Sequence, residues 1–227
     1  TNHCQIGIKM FVSELPKPIK VLQINHPKPL YIPIDVSADS PYFSPAMSAN
    51  AFEEVVDQYL QSADAQVAYG GYLEVRNLYQ RSTVFQQPDT EARNIHLGLD
   101  LWTNAGTPVL AAWDGVIHSF QDNQAFGDYG PTIILEHTFS EITFYTLYGH
   151  LHRANLTYLQ IGQKVQAGEV IASLGVAEEN GDYAPHLHFQ IILDLQGKSG
   201  DYPGVCAASE LDSFKANCPD PVPFFAF

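Results

Sequence analysis

From residue 92 to residue 195 the chain is almost wholly a succession of short β-forming runs. "TPVLAAWDGVIHSF", "PTIILEHTF", "ITFYTLYGHL", "QKVQAGEVIASLG" and "HLHFQIILDL" follow one another, separated by Gly, Asn and Asp. Closely spaced short strands with turn signals between them predict a mostly β fold, a sandwich or a barrel.

One of these runs, "APHLHFQII" (184–192), carries two histidines in an alternating pattern. Side chains on a strand alternate faces, so His186 and His188 share one face while Leu187 and Phe189 share the other. Taken alone, the pair reads first as two solvent-facing histidines. Upstream, "RNIHLGLDLW" sets His96 and Asp100 four apart around Gly98. In a straight strand that offset spans about 13 Å, too far for two side chains to share one ion. The chain must therefore turn between them if both are ligands, and Gly98 is where a bulge or tight bend is cheapest. A third cluster, "LYGHLHR", puts His150 and His152 on one face of a strand that also presents Tyr148. A hydrolytic zinc site takes three His or carboxylate ligands and keeps one position open. His96, Asp100 and one member of the His186–His188 pair meet that count and leave imidazoles over for proton transfer.

The run "HLGLD…GTPVLAAWDGVI…YGPTIILEH…FYTLYGHL…IGQKVQAGEVIASLG…PHLHFQI" resembles the lysostaphin and LytM type of zinc metallopeptidase in both spacing and surrounding residues, over about residues 92–195. The resemblance implies an antiparallel β-sandwich core of the duplicated hybrid motif type, with the metal in an open groove on one sheet. It implies one zinc ion per chain, held by His96, Asp100 and His188, with water in the fourth position. His150 and His186 match the family's two catalytic histidines, which activate the water and stabilise the developing oxyanion. The implied function is a zinc-dependent endopeptidase whose peptide substrate comes from peptidoglycan stems or cross-bridges. A non-catalytic binding or activator module on the same fold, and a peptidase acting on a non-wall peptide, are the alternatives. "IGQKVQAGEVIASLG" also resembles the hairpin of biotinyl and lipoyl carrier domains, but Lys164 lacks their setting.

Where the family has a short Gly, Ser and Thr loop before its last motif, this chain has the longer acidic "VAEENGDYAP" (176–185), which should border the groove. Gln190 stands in place of the family's acid after "HLHF" and is expected to affect surroundings more than metal binding. The family's groove tyrosine, which precedes the first ligand, has no evident partner. His118 and His137 read as structural hydrogen-bonders. His152 repeats the His-x-His spacing, but the resemblance anchors on His150.

The organisation expected is an N-terminal extension (1–90), a core (91–198) and a C-terminal tail (199–227) whose "PVPFFAF" docks on that core. Seven of the 15 prolines fall in residues 1–47, which predicts extended or turn backbone. This Pro-rich arm is also a candidate inhibitory cover for the groove. "NAFEEVVDQYL" (50–60) follows as an amphipathic helix with Asn50 as cap and Glu53 completing a capping box. Residues 68–85 read as strand broken at Gly70 and Gly71. A net charge of −14, from 25 acidic against 11 basic residues, disfavours nucleic acid as a partner. No run approaches the eighteen or so apolar residues that span a bilayer. Residues 1–12 lack the pattern of a secretory leader; the cell envelope, if a leader precedes Thr1, and the cytoplasm both stay open. Cys4, Cys206 and Cys218 make no metal-binding pair; Cys206 and Cys218 are expected as buried thiols, with a bridge as the alternative.

Overall fold

Alternating apolar runs need a partner layer on each oily face, and the computed structural model, which describes residues 14–44, 46–77 and 91–227, shows how this chain supplies it. In chain order the strands are β1 (Tyr31–Pro33), β2 (Val67–Gly70), β3 (Ile95–His96), β4 (Leu99–Trp102), β5 (Pro108–Leu110), β6 (Gly115–Asn123), β7 (Gly130–Phe139), β8 (Ile142–Gly149), β9 (Lys164–Val165), β10 (Val170–Ser173), β11 (His186–Ile192) and β12 (Val205–Cys206). Eight of them form one sheet in the order β1-β2-β4-β11-β8-β7-β6-β9; β5 pairs with β10 and β3 with β12. Every pairing is antiparallel except β1 with β2. The protein is mostly β with antiparallel sheets, as its sequence predicts.

One face of the large sheet presents Leu99, Leu101, Ile133, Leu135, Leu187, Phe189 and Ile191, all fully buried. The second layer over that face is the β5–β10 ribbon together with Leu15, Ile19, Val21 and Leu22 of the arm and Phe224 of the tail. Burying a Leu or Ile side chain contributes roughly 1.5–3 kcal/mol, so these arm residues stabilise the core. They are also tied by backbone, Leu110 N–H donating to the Val21 carbonyl and Ile19 N–H to the Phe224 carbonyl. Residues 14–24 of the arm thus lie on the face opposite the imidazoles, which corrects the expectation of a groove cover for that stretch.

Helix α1 (Ala49–Ser62) buries Ala49, Phe52, Val56 and Leu60. It starts one residue before Asn50: the cap is Ser48, whose hydroxyl accepts from Ala51 N–H, and no box forms with Glu53. A second helix, α2 (Leu211–Asn217), lies in the tail. The predicted strand over 68–85 is only partly described: β2 ends at Gly70, Val75 makes an isolated bridge to Ile95, and residues 78–85 lie outside the described residues. Cys4 lies outside them as well; Cys206 and Cys218 are both buried and free. Among the described residues no helix is long and apolar enough to cross a membrane.

Candidate metal centre

Four short pieces of chain build the site. β3 ends at His96, the chain bends through Leu97 and Gly98, and β4 restarts in a different sheet at Leu99. A Cβ on Gly98 would sit 2.6 Å from His188 Cε1 and 2.8 Å from the Phe189 carbonyl oxygen, so the bend is possible only without a side chain. β11 then lies antiparallel to β4 with His188 opposite Asp100 and His186 opposite Trp102. That register puts both histidines on the face Asp100 already occupies.

His150 arrives differently. Tyr148 packs into the main core on the far face, and strict alternation would send His150 there too. β8 ends at Gly149 and His150 adopts φ 64°, which turns its ring to the other side. Tyr148, His150 and His152 therefore do not share one strand face as the sequence suggests. His152 lies outside, half exposed at 49%, accepting from Ala154 N–H and 3.2 Å from Glu179.

The predicted ligand atoms converge. His96 Nε2 is 2.9 Å from His188 Nδ1 and 3.3 Å from Asp100 Oδ1, and His188 Nδ1 is 3.1 Å from Asp100 Oδ1. All three side chains are buried. Among the described residues they are the group of His, Cys, Asp and Glu side chains placed to hold a metal ion. Zinc bound tetrahedrally at 2.0–2.1 Å separates its ligand atoms by about 3.3 Å, close to these edges.

The protons on the two imidazoles lie away from the triangle. His96 Nδ1 faces the Gly71 carbonyl at 2.9 Å, an atom that only accepts, so the proton is on Nδ1 and Nε2 holds a lone pair. Gln190 Nε2 donates to the Pro203 carbonyl at 3.1 Å, which fixes Gln190 Oε1 as the atom 3.0 Å from His188 Nε2. His188 therefore carries its proton on Nε2 and a lone pair on Nδ1. Two imidazole lone pairs and a carboxylate oxygen meet within 3.3 Å with no hydrogen between them, which is what a cation would reconcile. Burial first, and the Arg76 charge next, push His96 down to about 4, so it does not relieve the contact by protonating near neutrality. Burial alone would raise Asp100, but His96 and Arg76 outweigh it and hold the carboxyl well below its ordinary value.

Beside this triangle lie the two remaining imidazoles, with ring centroids 4.1 Å apart. His150 Nδ1 donates to the Asn180 carbonyl at 2.6 Å and His186 Nδ1 to the Ala184 carbonyl at 2.7 Å. Each thus keeps an unprotonated Nε2, that of His186 lying 3.9 Å from Asp100 Oδ1. Burial, then the His186 charge, holds His150 well below its ordinary value, and burial lowers His186 against the pull of Asp100. The five residues border a cavity of ≈ 240 Å³, whose lining also includes Phe43, Phe52 and Trp102 on an apolar side and Asp128 and Asp201 among its charged groups. Tyr183 and Ala184 of the acidic 176–185 loop line it too.

Several contributors escape sequence reading. Gln190 touches a predicted ligand directly, closer to the metal centre than expected; its same-face spacing two residues after His188 was the available signal. Arg76 donates from Nη1 to Asp100 Oδ2 at 2.5 Å, and Gly71 orients His96, yet neither carries a local mark of it. The Tyr129 hydroxyl lies 3.4 Å from His188 Nε2, and the Tyr183 ring 5.0 Å from that of His150.

Residues 94–201 match the family model described as peptidase family M23. The peptidoglycan DD-endopeptidase ShyC of Vibrio cholerae is 32% identical over 108 residues, 47% of this chain and 22% of that protein. An uncharacterized metalloprotease of Buchnera aphidicola is 33% identical over 108 residues, 47% of this chain and 25% of that protein. The chain thus spans between 22% and 25% of the length of these curated relatives. The catalytic domain of the antimicrobial peptidase lysostaphin from Staphylococcus simulans aligns at 22% identity with a TM-score of 0.39, over 70% of this chain and 96% of that one.

Proposed function

We propose that the chain, whose residues 94–201 match the peptidase family M23 model, is a zinc-dependent endopeptidase that hydrolyses peptide bonds in peptidoglycan stems or cross-bridges. The observation that carries the reading is the convergence of His96 Nε2, Asp100 Oδ1 and His188 Nδ1, three lone pairs meeting beside two neutral imidazoles. Zinc in such a donor set supplies a Lewis acid for the scissile carbonyl and makes water a nucleophile near neutral pH.

The chain's own groups account for the proton traffic. His150 and His186 each hold Nδ1–H against a backbone carbonyl, which fixes the tautomer and aims an unprotonated Nε2 into the cavity. Either Nε2 can accept the proton of the attacking water, and the imidazolium so formed can donate to the tetrahedral oxygen or the leaving amine. With centroids 4.1 Å apart the rings share one proton rather than two, since a charge on one disfavours a charge on the other. Burial of both strengthens these interactions by excluding water.

The wall substrate rests on the printed activity of the Vibrio cholerae relative, and the acidic 176–185 loop at the cavity supports a preference of this chain's own. Incubating the purified protein with peptidoglycan fragments, with and without a chelator, and reading products by mass spectrometry tests the proposal. Cleavage at a peptide bond that a chelator abolishes and zinc restores is expected. A zinc-loaded protein that cuts none of them would favour the binding-module alternative.

A further inference from the structure

Asp100 offers only one oxygen to the triangle; the other is taken. Arg76 Nη1 donates to Asp100 Oδ2 at 2.5 Å, while Arg76 Nε donates to Glu74 Oε2 at 2.7 Å. The Arg76 side chain is 2% exposed and its guanidinium lies 5.7 Å over the Trp102 ring. Glu74 is anchored in turn, its Oε1 accepting from Val36 N–H at 3.2 Å. A planar guanidinium with two donors spoken for cannot swing. The room for it comes from Gly71, where a Cβ would collide with Arg76 Nη2, and the same Gly71 carbonyl orients His96.

We propose that Arg76 is a positioning residue of the metal centre: by holding Asp100 Oδ2 it fixes the carboxylate rotation, presents Oδ1 alone to the ion, and keeps one coordination position open. The inference rests on the reading of His96, Asp100 and His188 as metal ligands. Without Arg76 the carboxylate is free to turn about its Cβ–Cγ bond and bind through both oxygens, filling the position that a hydrolytic site leaves open. Arg76 lies before residue 94, where the family match begins, so the extension completes the centre rather than merely abutting it.

The test uses the full chain with zinc and with cobalt. Competition against a chelator gives zinc affinity, the visible spectrum of the cobalt-loaded protein reports coordination geometry, and circular dichroism of the metal-free protein reports folding. Arg76→Met should lower zinc affinity roughly 10–100-fold, the range for groups that orient a ligand, and shift the cobalt bands toward higher coordination. Arg76→Lys keeps the charge but not the fork; it should shift the same bands with a smaller loss, and it carries the test if the Met variant does not fold. A folded Lys variant whose zinc affinity and cobalt spectrum both match wild type would overturn the role of Arg76 alone. Wild type that takes up neither metal would overturn the ligand reading and, with it, this one.

Discussion

The large sheet carries buried histidines on both faces, and they are satisfied in opposite ways. On the core face, His137 Nδ1 donates to the Asp114 carbonyl at 2.9 Å and Nε2 meets the Thr146 hydroxyl at 2.7 Å. One donor, one acceptor and a neutral ring close the account within the protein. On the other face, His188 of the sheet and His96, which reaches it from β3, spend their protons on outer partners, Gln190 and Gly71, and turn bare lone pairs toward each other and Asp100. Burial depresses His137 and His96 alike, each to about 4. A depressed imidazole therefore does not mark a site; lone pairs converging with no proton between them do.

Breaking the proposed reactive side should have the largest effect. His186→Ala should cut hydrolysis roughly 10²–10⁴-fold, the usual worth of a general base, with zinc content unchanged. Loss of zinc together with activity would mean that His186 serves the metal instead. Gly98→Ala pushes a methyl group into the His188 ring and should weaken zinc binding roughly 10–100-fold. Gly106→Ala meets nothing within 4 Å, though φ is +79°, and should leave zinc affinity alone. Equal zinc affinity in the two variants would remove the steric argument for the bend.

The structural side should respond in stability rather than metal. His137 titrates at about 4 folded against 6.5 unfolded, so its contribution is complete above pH 6.5 and is lost as pH falls toward 4. The loss accumulates to roughly 3 kcal/mol over that window. Thermal unfolding of His137→Gln should therefore steepen less between pH 6.5 and 4 than wild type, and superimposable profiles would contradict the assignment. Thr146→Val leaves His137 Nε2 without its partner inside a fully buried contact and should cost about 1–3 kcal/mol by denaturant titration, with zinc uptake intact.

Local alternation made much of this legible. "HLHFQII" announced one oily face and one imidazole face, and the arithmetic of His-x-x-x-Asp required a turn if both were ligands, cheapest at Gly98, where the chain in fact leaves one sheet for another. What stayed hidden depends on backbone reversals or distance along the chain. His150 reaches the site through a single positive φ that no alternation rule contains. Arg76 stands 24 residues from Asp100, and nothing in "LEVRN" distinguishes it from a solvated arginine. The arm's proline content spoke for extended backbone but not for residues 14–24 packing on the core face while Phe43 lines the cavity on the other. Ser48 rather than Asn50 caps α1 because its hydroxyl reaches Ala51 N–H, a choice between two good cap residues two positions apart.

The most direct measurement is metal content by elemental analysis of wild type, His188→Ala and His137→Gln purified in parallel. About one zinc per chain in wild type and His137→Gln, and almost none in His188→Ala, is the result expected from converging lone pairs on one face and a closed hydrogen-bond pair on the other. Equal zinc in all three, or none in wild type after zinc is supplied, would contradict it.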